Sequence, residues 1–235
     1  MTASGRVRDA LRELERLAEP RVLADMDTRY GIRAKKALGV PMVKMLQLAK
    51  RLGRDHDLAE ALWKTGVYEA RTVAALIDEP ERVTPAQMER WCRDFDNWGI
   101  CDTVCFKLFD RSPHAFAKID EWAKREEEFV KRGAFALLAC VALHDRASGD
   151  ELFLRRLPLA ERAAKDDRNF VKKGVLWALR AIGGRSGELR DAVLALAARL
   201  AAAGDATARS TGKAMERELG RAKPKTKSRK RTPAL

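Results

Sequence analysis

Aromatic residues make up only 6% of this chain, and it holds just 3 histidines and 4 cysteines, so several kinds of chemistry are excluded at the outset. No stretch alternates apolar and polar residues long enough to read as a strand, and no sheet is expected. His56, His114 and His144 are dispersed at intervals that suit neither a metal site nor a cysteine–histidine dyad. Cys92, Cys101, Cys105 and Cys140 match no zinc ribbon and no CxxC motif; in apolar helical surroundings they read as small buried groups in a reducing compartment. No metal is therefore expected, and the chain is expected to need no cofactor. There is no apolar run of membrane-spanning length, and Met1 to Asp25 is a charged amphipathic segment rather than a secretory leader, which makes the expected location cytoplasmic.

What is present in quantity is Ala, Leu, Arg, Lys and Glu, all good helix formers, in a chain that is 46% hydrophobic. The class is all-α. The pentapeptide Phe129-Val130-Lys131-Arg132-Gly133 returns forty-one residues later as Phe170-Val171-Lys172-Lys173-Gly174, each time opening a long apolar helical run. Helix pairs repeating at about 40–47 residues describe a HEAT-like α-solenoid, a superhelix in which one helix of each pair lines a concave face. Arg71, Asp102, Arg132 and Lys173 recur at similar intervals and are expected on that face, which would make it basic with a single carboxylate.

The net charge of +13 divides unevenly. Arg221, Lys223, Lys225, Lys227, Arg229, Lys230 and Arg231 supply seven positive charges with no acid among them. One repeat domain over residues 1–219 followed by a flexible basic tail over 220–235 is the expected organisation, the tail being either a polyanion tether or a solvated terminus.

Along the repeat domain, Val7 to Ala18 carries an apolar stripe and stops before Pro20. Met42 to Leu52 reads as a helix with Leu46 and Ala49 inward, and Thr84-Pro85 as a helix start. Asp96 is expected to cap a helix that carries Trp98, Asp102 and Phe106 at four-residue steps on one face. Asp150 to Ala164 reads as one helix, and Gly133 and Gly174 inside helices suggest close helix approach. Trp63, Trp91 and Trp122 are expected to pack between repeats.

A basic concave helical surface suits a duplex backbone, since Lys and Arg neutralise phosphates without reading sequence. A carboxylate repels phosphate and so needs another reason to be there. One such reason is a reaction that develops positive charge, as when a cationic alkylated purine departs and leaves an oxocarbenium-like sugar.

Phe95-Asp96-Asn97-Trp98-Gly99-Ile100-Cys101-Asp102, Phe129-Val130-Lys131-Arg132 and Asp167-Arg168-Asn169-Phe170-Val171-Lys172-Lys173-Gly174-Val175-Leu176-Trp177-Ala178-Leu179-Arg180 resemble the signatures of the AlkD-like DNA alkylation repair glycosylases. Upstream, Leu62-Trp63-Lys64-Thr65-Gly66 with Glu69-Ala70-Arg71 extends the similarity, which covers most of residues 30–215. The resemblance implies hydrolysis of the N-glycosidic bond of N3- or N7-alkylated purines in double-stranded DNA, without a deep base-flipping pocket and without a lyase step. It implies that Asp102 is the electrostatic and water-positioning residue, that Trp98 and Trp177 contact deoxyribose, and that Arg132 holds a phosphate. Arg71, Lys131, Lys172, Lys173 and Arg180 would form the DNA track. The partner implied is alkylated duplex DNA, bound by a monomer that needs no membrane and no obligate protein partner and is nucleoid-associated when bound. Gly99, where many relatives have Asp, and Phe129, where several have Trp, depart from the family's pattern. The alternative reading is a non-catalytic HEAT-repeat scaffold that binds DNA, RNA or an acidic protein through the same surface.

Overall fold

Capping residues set where the helices begin. The computed structural model describes residues 3–221, and among these every regular element is helical. The basic tail beyond residue 221 lies outside the described residues. The chain divides into two compact units, Met1–Leu138 and Ala139–Leu235.

The first unit contains α1 (Ala3–Leu17), α2 (Pro20–Thr28), α3 (Met42–Leu52), α4 (His56–Trp63), α5 (Tyr68–Ile77), α6 (Pro85–Arg93), α7 (Trp98–Lys107), a 3-10 turn (Phe109–Arg111), α8 (Ala115–Trp122) and the start of α9 (Glu128–His144). Pro20 does not merely end α1; it occupies the first turn of α2, where its missing N–H costs nothing. Asp55 caps α4 by accepting from Leu58 N, and Thr84 caps α6 by accepting from Gln87 N, as the Thr-Pro pair suggests. At α7 the cap is Asn97, not Asp96. The Asn97 side chain accepts from Ile100 N at 3.1 Å and donates to the Asp96 carboxylate at 2.7 Å, so Asp96 supports the cap from outside. On α3 the buried residues are Met45, Leu48 and Ala49, whereas Leu46 is 42% exposed. The 3.6-residue period explains the correction, because 45, 48 and 49 share one face and 46 lies well off it.

Helix α5 is the centre of this unit, packed against α1, α3, α4 and α7. A row of rings runs along the unit. Trp63 and Trp91 stack with centroids 4.0 Å apart, Phe109 lies 6.1 Å from Trp91, and Trp122 lies 6.1 Å from Phe109. Each indole N–H is satisfied by a carboxylate: Trp63 donates to Asp94, Trp91 to Glu60 and Trp122 to Glu89. These three tryptophans are core residues, as their helical context predicts.

The second unit comprises the rest of α9, α10 (Glu151–Leu154), α11 (Leu157–Ala163), α12 (Asn169–Gly183), α13 (Gly187–Ala201) and α14 (Ala206–Arg221). The single helix expected from Asp150 to Ala164 is broken in two, with Pro158 in the first turn of α11. Helices α12, α13 and α14 pack on one another, and Ser186 and Asp205 cap α13 and α14. Arg185 donates to the carbonyls of Ala142 and Ser148, each at 3.0 Å, with its guanidinium over the Phe153 ring. The bond to Ala142 satisfies a carbonyl in the last turn of α9, and the bond to Ser148 ties down the loop that follows it.

Candidate nucleic-acid interface

The face that α7 leaves uncovered carries the predicted row. Gly99, Ile100, Cys101, Val104 and Cys105 are buried, while Trp98, Asp102 and Phe106 stand half-buried at successive turns. The two cysteines of α7 contribute packing: Cys101 Sγ lies 3.7 Å from the Phe129 carbonyl and Cys105 Sγ 3.6 Å from that of Gly133, so they knit α7 to α9.

That packing brings Arg132 to Asp102. Arg132 Nε donates to Asp102 Oδ1 at 3.0 Å and Nη2 donates to Oδ2 at 2.7 Å, a bidentate fork. The pair is largely dry, with 6% of the arginine side chain and 19% of the aspartate exposed. Burial pushes the Asp102 carboxyl above the ordinary carboxylate range, against the pull of Arg132's charge and hydrogen bonds. Burial also opposes the charge on Arg132, but Asp102 outweighs it and the guanidinium sits above its usual value.

Trp98 is held from the other side. Its Nε1 donates to the Tyr30 carbonyl at 2.9 Å, at the start of the segment 29–41 that joins α2 to α3. A Cβ at position 99 would come within 2.8 Å of Tyr68 Oη and 3.0 Å of Ile32 Cδ1, so those side chains would have to shift to admit one. Gly99 therefore lets Tyr68 and the 29–41 segment close against the first turn of α7. The Tyr68 hydroxyl is pushed up to about 12 by burial and by the charges of Glu69, Asp102 and Asp96, which keeps it a neutral part of the wall. Neither Tyr68 nor the Tyr30 carbonyl is legible as a site component from sequence, because both act through contacts between distant segments.

The other predicted contacts divide between the two units. Arg71 lies over Trp63, 5.0 Å from the ring centroid, and pairs with Asp94 at 3.1 Å, so much of its bonding capacity is already used within the protein. Lys131 is 12% exposed and lies 3.6 Å from Glu126. In the second unit, Lys173, Trp177 and Arg180 fall on one face of α12; Trp177 is half-buried, Lys173 is exposed and Arg180 is paired with Glu218. Lys172 is half-buried on the same helix. Among the described residues no cluster of His, Cys, Asp or Glu could hold a metal ion, and no helix is long and apolar enough to cross a membrane.

The helical architecture is of the HEAT-like repeat class. The chain belongs to the family described as DNA alkylation repair enzyme, whose sequence model matches residues 10–215. Its structure is similar to that of a protein described as one of "a new family of proteins related to the HEAT-like repeat DNA glycosylases with affinity for branched DNA structures". The two superpose with a TM-score of 0.74 at 19% sequence identity, over 90% of this chain and 94% of that one. No curated protein matches the chain at a significant level.

Proposed function

We propose that this protein is a monofunctional glycosylase that releases cationic N3- or N7-alkylated purines from double-stranded DNA, acting as a monomer without deep base flipping. The observation that carries this reading is the Asp102 carboxylate, fixed bidentately by Arg132 one helical turn from the half-exposed Trp98. In the reaction the bond between C1′ and the purine nitrogen breaks, and its electron pair goes to the base, which leaves neutral. The sugar takes on oxocarbenium character, and the oxygen of a water molecule adds at C1′ and gives up a proton. Asp102 supplies the negative charge that stabilises the sugar cation and accepts that proton, while the indole face of Trp98 favours the same cation and excludes bulk water. Arg132 is shared between Asp102 and a phosphate of the bound strand. As the phosphate draws on the guanidinium, the carboxylate is freed toward the sugar. Trp177, Lys172, Lys173 and Arg180 are taken as DNA contacts of the second unit in its own right, and hydrolysis needs no cofactor.

The test is release of free methylated purines from methylated duplex DNA by the wild type and by Asp102→Asn in parallel. Asparagine preserves volume and one acceptor oxygen for Arg132; removing the partner outright would strand a buried guanidinium at a cost of about 3–5 kcal/mol. Wild-type release that falls by at least about 100-fold in Asp102→Asn, with duplex binding kept, is the expected result. Equal release by both proteins would remove Asp102 from the chemistry.

A second reading is a non-catalytic DNA-binding protein that prefers branched structures. It is favoured by the closed Asp102–Arg132 pair, in which the carboxylate is already neutralised, and by the similarity to a protein with that affinity. No release by either protein, together with tighter binding to a four-way junction than to duplex, would establish it.

A further inference from the structure

The segment that holds Trp98 also carries two adjacent lysines. After Tyr30 and Ile32 have packed against the start of α7, the chain runs through Lys35 and Lys36, both exposed, before entering α3. Both residues line a cavity of about 310 Å³ whose other charged walls are Arg71, Arg93, Asp94 and Asp96. The two acids are already engaged: Asp94 accepts from the Trp63 indole and pairs with Arg71, and Asp96 accepts from Asn97. Arg93 pairs with Glu89. Lys35 and Lys36 are the cations of this wall without a carboxylate partner among the described residues.

These lysines are not on a loose loop. The main chain beside them is pinned by Glu69, a fully buried carboxylate on α5 that accepts from Leu38 N at 2.9 Å, Gly39 N at 2.7 Å and Val40 N at 3.3 Å. Tyr68 N donates to the Lys36 carbonyl at 2.8 Å. The backbone carrying the pair is thus fixed to α5, so placing a phosphate there freezes two side chains and no loop.

The cavity also lies next to the candidate site. Asp96 lines it and is two residues from Trp98, which puts the two positions within about 7 Å along the chain. A DNA strand carries one phosphate per roughly 3.4 Å of helix axis, so a strand whose sugar rests on Trp98 brings its next one to three phosphates to this wall.

We propose that Lys35 and Lys36, with Arg71 behind them, form a backbone-phosphate subsite that holds the DNA strand beyond the nucleotide at Trp98 and Asp102. The subsite contributes register and affinity without base readout, and it makes the 29–41 segment a single device that fixes the indole at one end and the strand at the other. It rests on the DNA-binding part of the proposed function and not on the base-release step.

The experiment is the salt dependence of duplex binding by the full chain, read by anisotropy with an unmodified duplex between about 50 and 200 mM salt. Lys35→Gln/Lys36→Gln is expected to flatten the slope of log affinity against log salt by about 2, close to one for each phosphate that is no longer neutralised. Lys35→Arg/Lys36→Arg should keep the wild-type slope, and the charge-matched control Lys50→Gln/Lys213→Gln should change it little. A slope in the Gln pair no flatter than in the control overturns the subsite, and so does failure of the wild type to bind duplex. Base release is scored separately. If no base is released but the slope still flattens in the Gln pair, the glycosylase reading fails and the subsite stands.

Discussion

Gly99 and Gly133 are both helical glycines in family-like motifs, yet alanine at the two positions should act with opposite sign. At Gly133 a Cβ would meet Phe95 Cε2 at 3.5 Å and the sulfurs of Cys92 and Cys101 at 3.7 Å, ordinary contact distances. Gly133→Ala is therefore expected to stabilise by about 0.5–1 kcal/mol through helix propensity, seen as a higher melting temperature. At Gly99 the same atom would press on Tyr68 Oη and Ile32 Cδ1, so Gly99→Ala should lower the melting temperature, with a cost of about 1–3 kcal/mol as the 29–41 segment is pushed off α7. A Gly99→Ala protein as stable as wild type would mean that the segment adapts and does not depend on that contact. Sequence places close helix approach at Gly133 and Gly174; a tighter approach lies at Gly212, where a Cβ would run into the backbone of Ala197, Leu200 and Ala201 on α13. A glycine in a helical sequence shows that a side chain is missing, and only the neighbouring helix shows why.

Among the elements, the segment between α2 and α3 depends on one carboxylate. Replacing Glu69 by Gln turns an acceptor of three backbone N–H groups into a group that presents its own donors to some of them. We expect a loss of about 2–4 kcal/mol and, more tellingly, faster amide exchange at Leu38, Gly39 and Val40 than at amides within α5. Unchanged exchange at those three amides would show that the segment is held by other contacts. The helices themselves were largely legible, because Thr84-Pro85, Ser186 and Asp205 announce starts and the apolar period announces faces. The exceptions have local causes. Asn97 displaces Asp96 as the α7 cap because its side chain satisfies both Ile100 N and Asp96, and Pro158 splits a run that composition alone reads as continuous. The grouping of Trp98, Asp102 and Arg132 was legible through the motif; the contacts of the Tyr30 carbonyl, Tyr68 and Glu69 were not, since they join segments about thirty or more positions apart.

For the whole molecule, the response of stability to acid draws on carboxylates with opposite tendencies. Glu89 receives the Trp122 indole, Arg125, Lys118 and Arg93; its burial would raise its pKa, but these partners outweigh that and hold the carboxyl at about 2 against an ordinary 4.5. A folded-state value below the unfolded one means that the contribution is complete above 4.5 and is lost as the pH falls toward 2. After solvent screening it amounts to about 1–2 kcal/mol. Asp102 and Asp78, raised by burial, work in the reverse sense, favouring the fold when protonated and losing that contribution as the pH rises. Urea unfolding at about pH 6 and pH 3 should therefore show the advantage of wild type over Glu89→Gln shrinking in acid; an advantage independent of pH would mean that Glu89 acts by packing alone. The row of rings from Trp63 to Trp122 has a further, optical consequence. Two parallel indoles 4.0 Å apart couple their electronic transitions, so the near-ultraviolet dichroism of the native first unit should carry a paired signal that vanishes when Trp63 and Trp91 separate. Because Trp63, Trp91 and Trp122 are sealed from solvent, quenching of emission by an added polynucleotide would come from Trp98 and Trp177, giving a label-free view of the two predicted sugar contacts against a constant background.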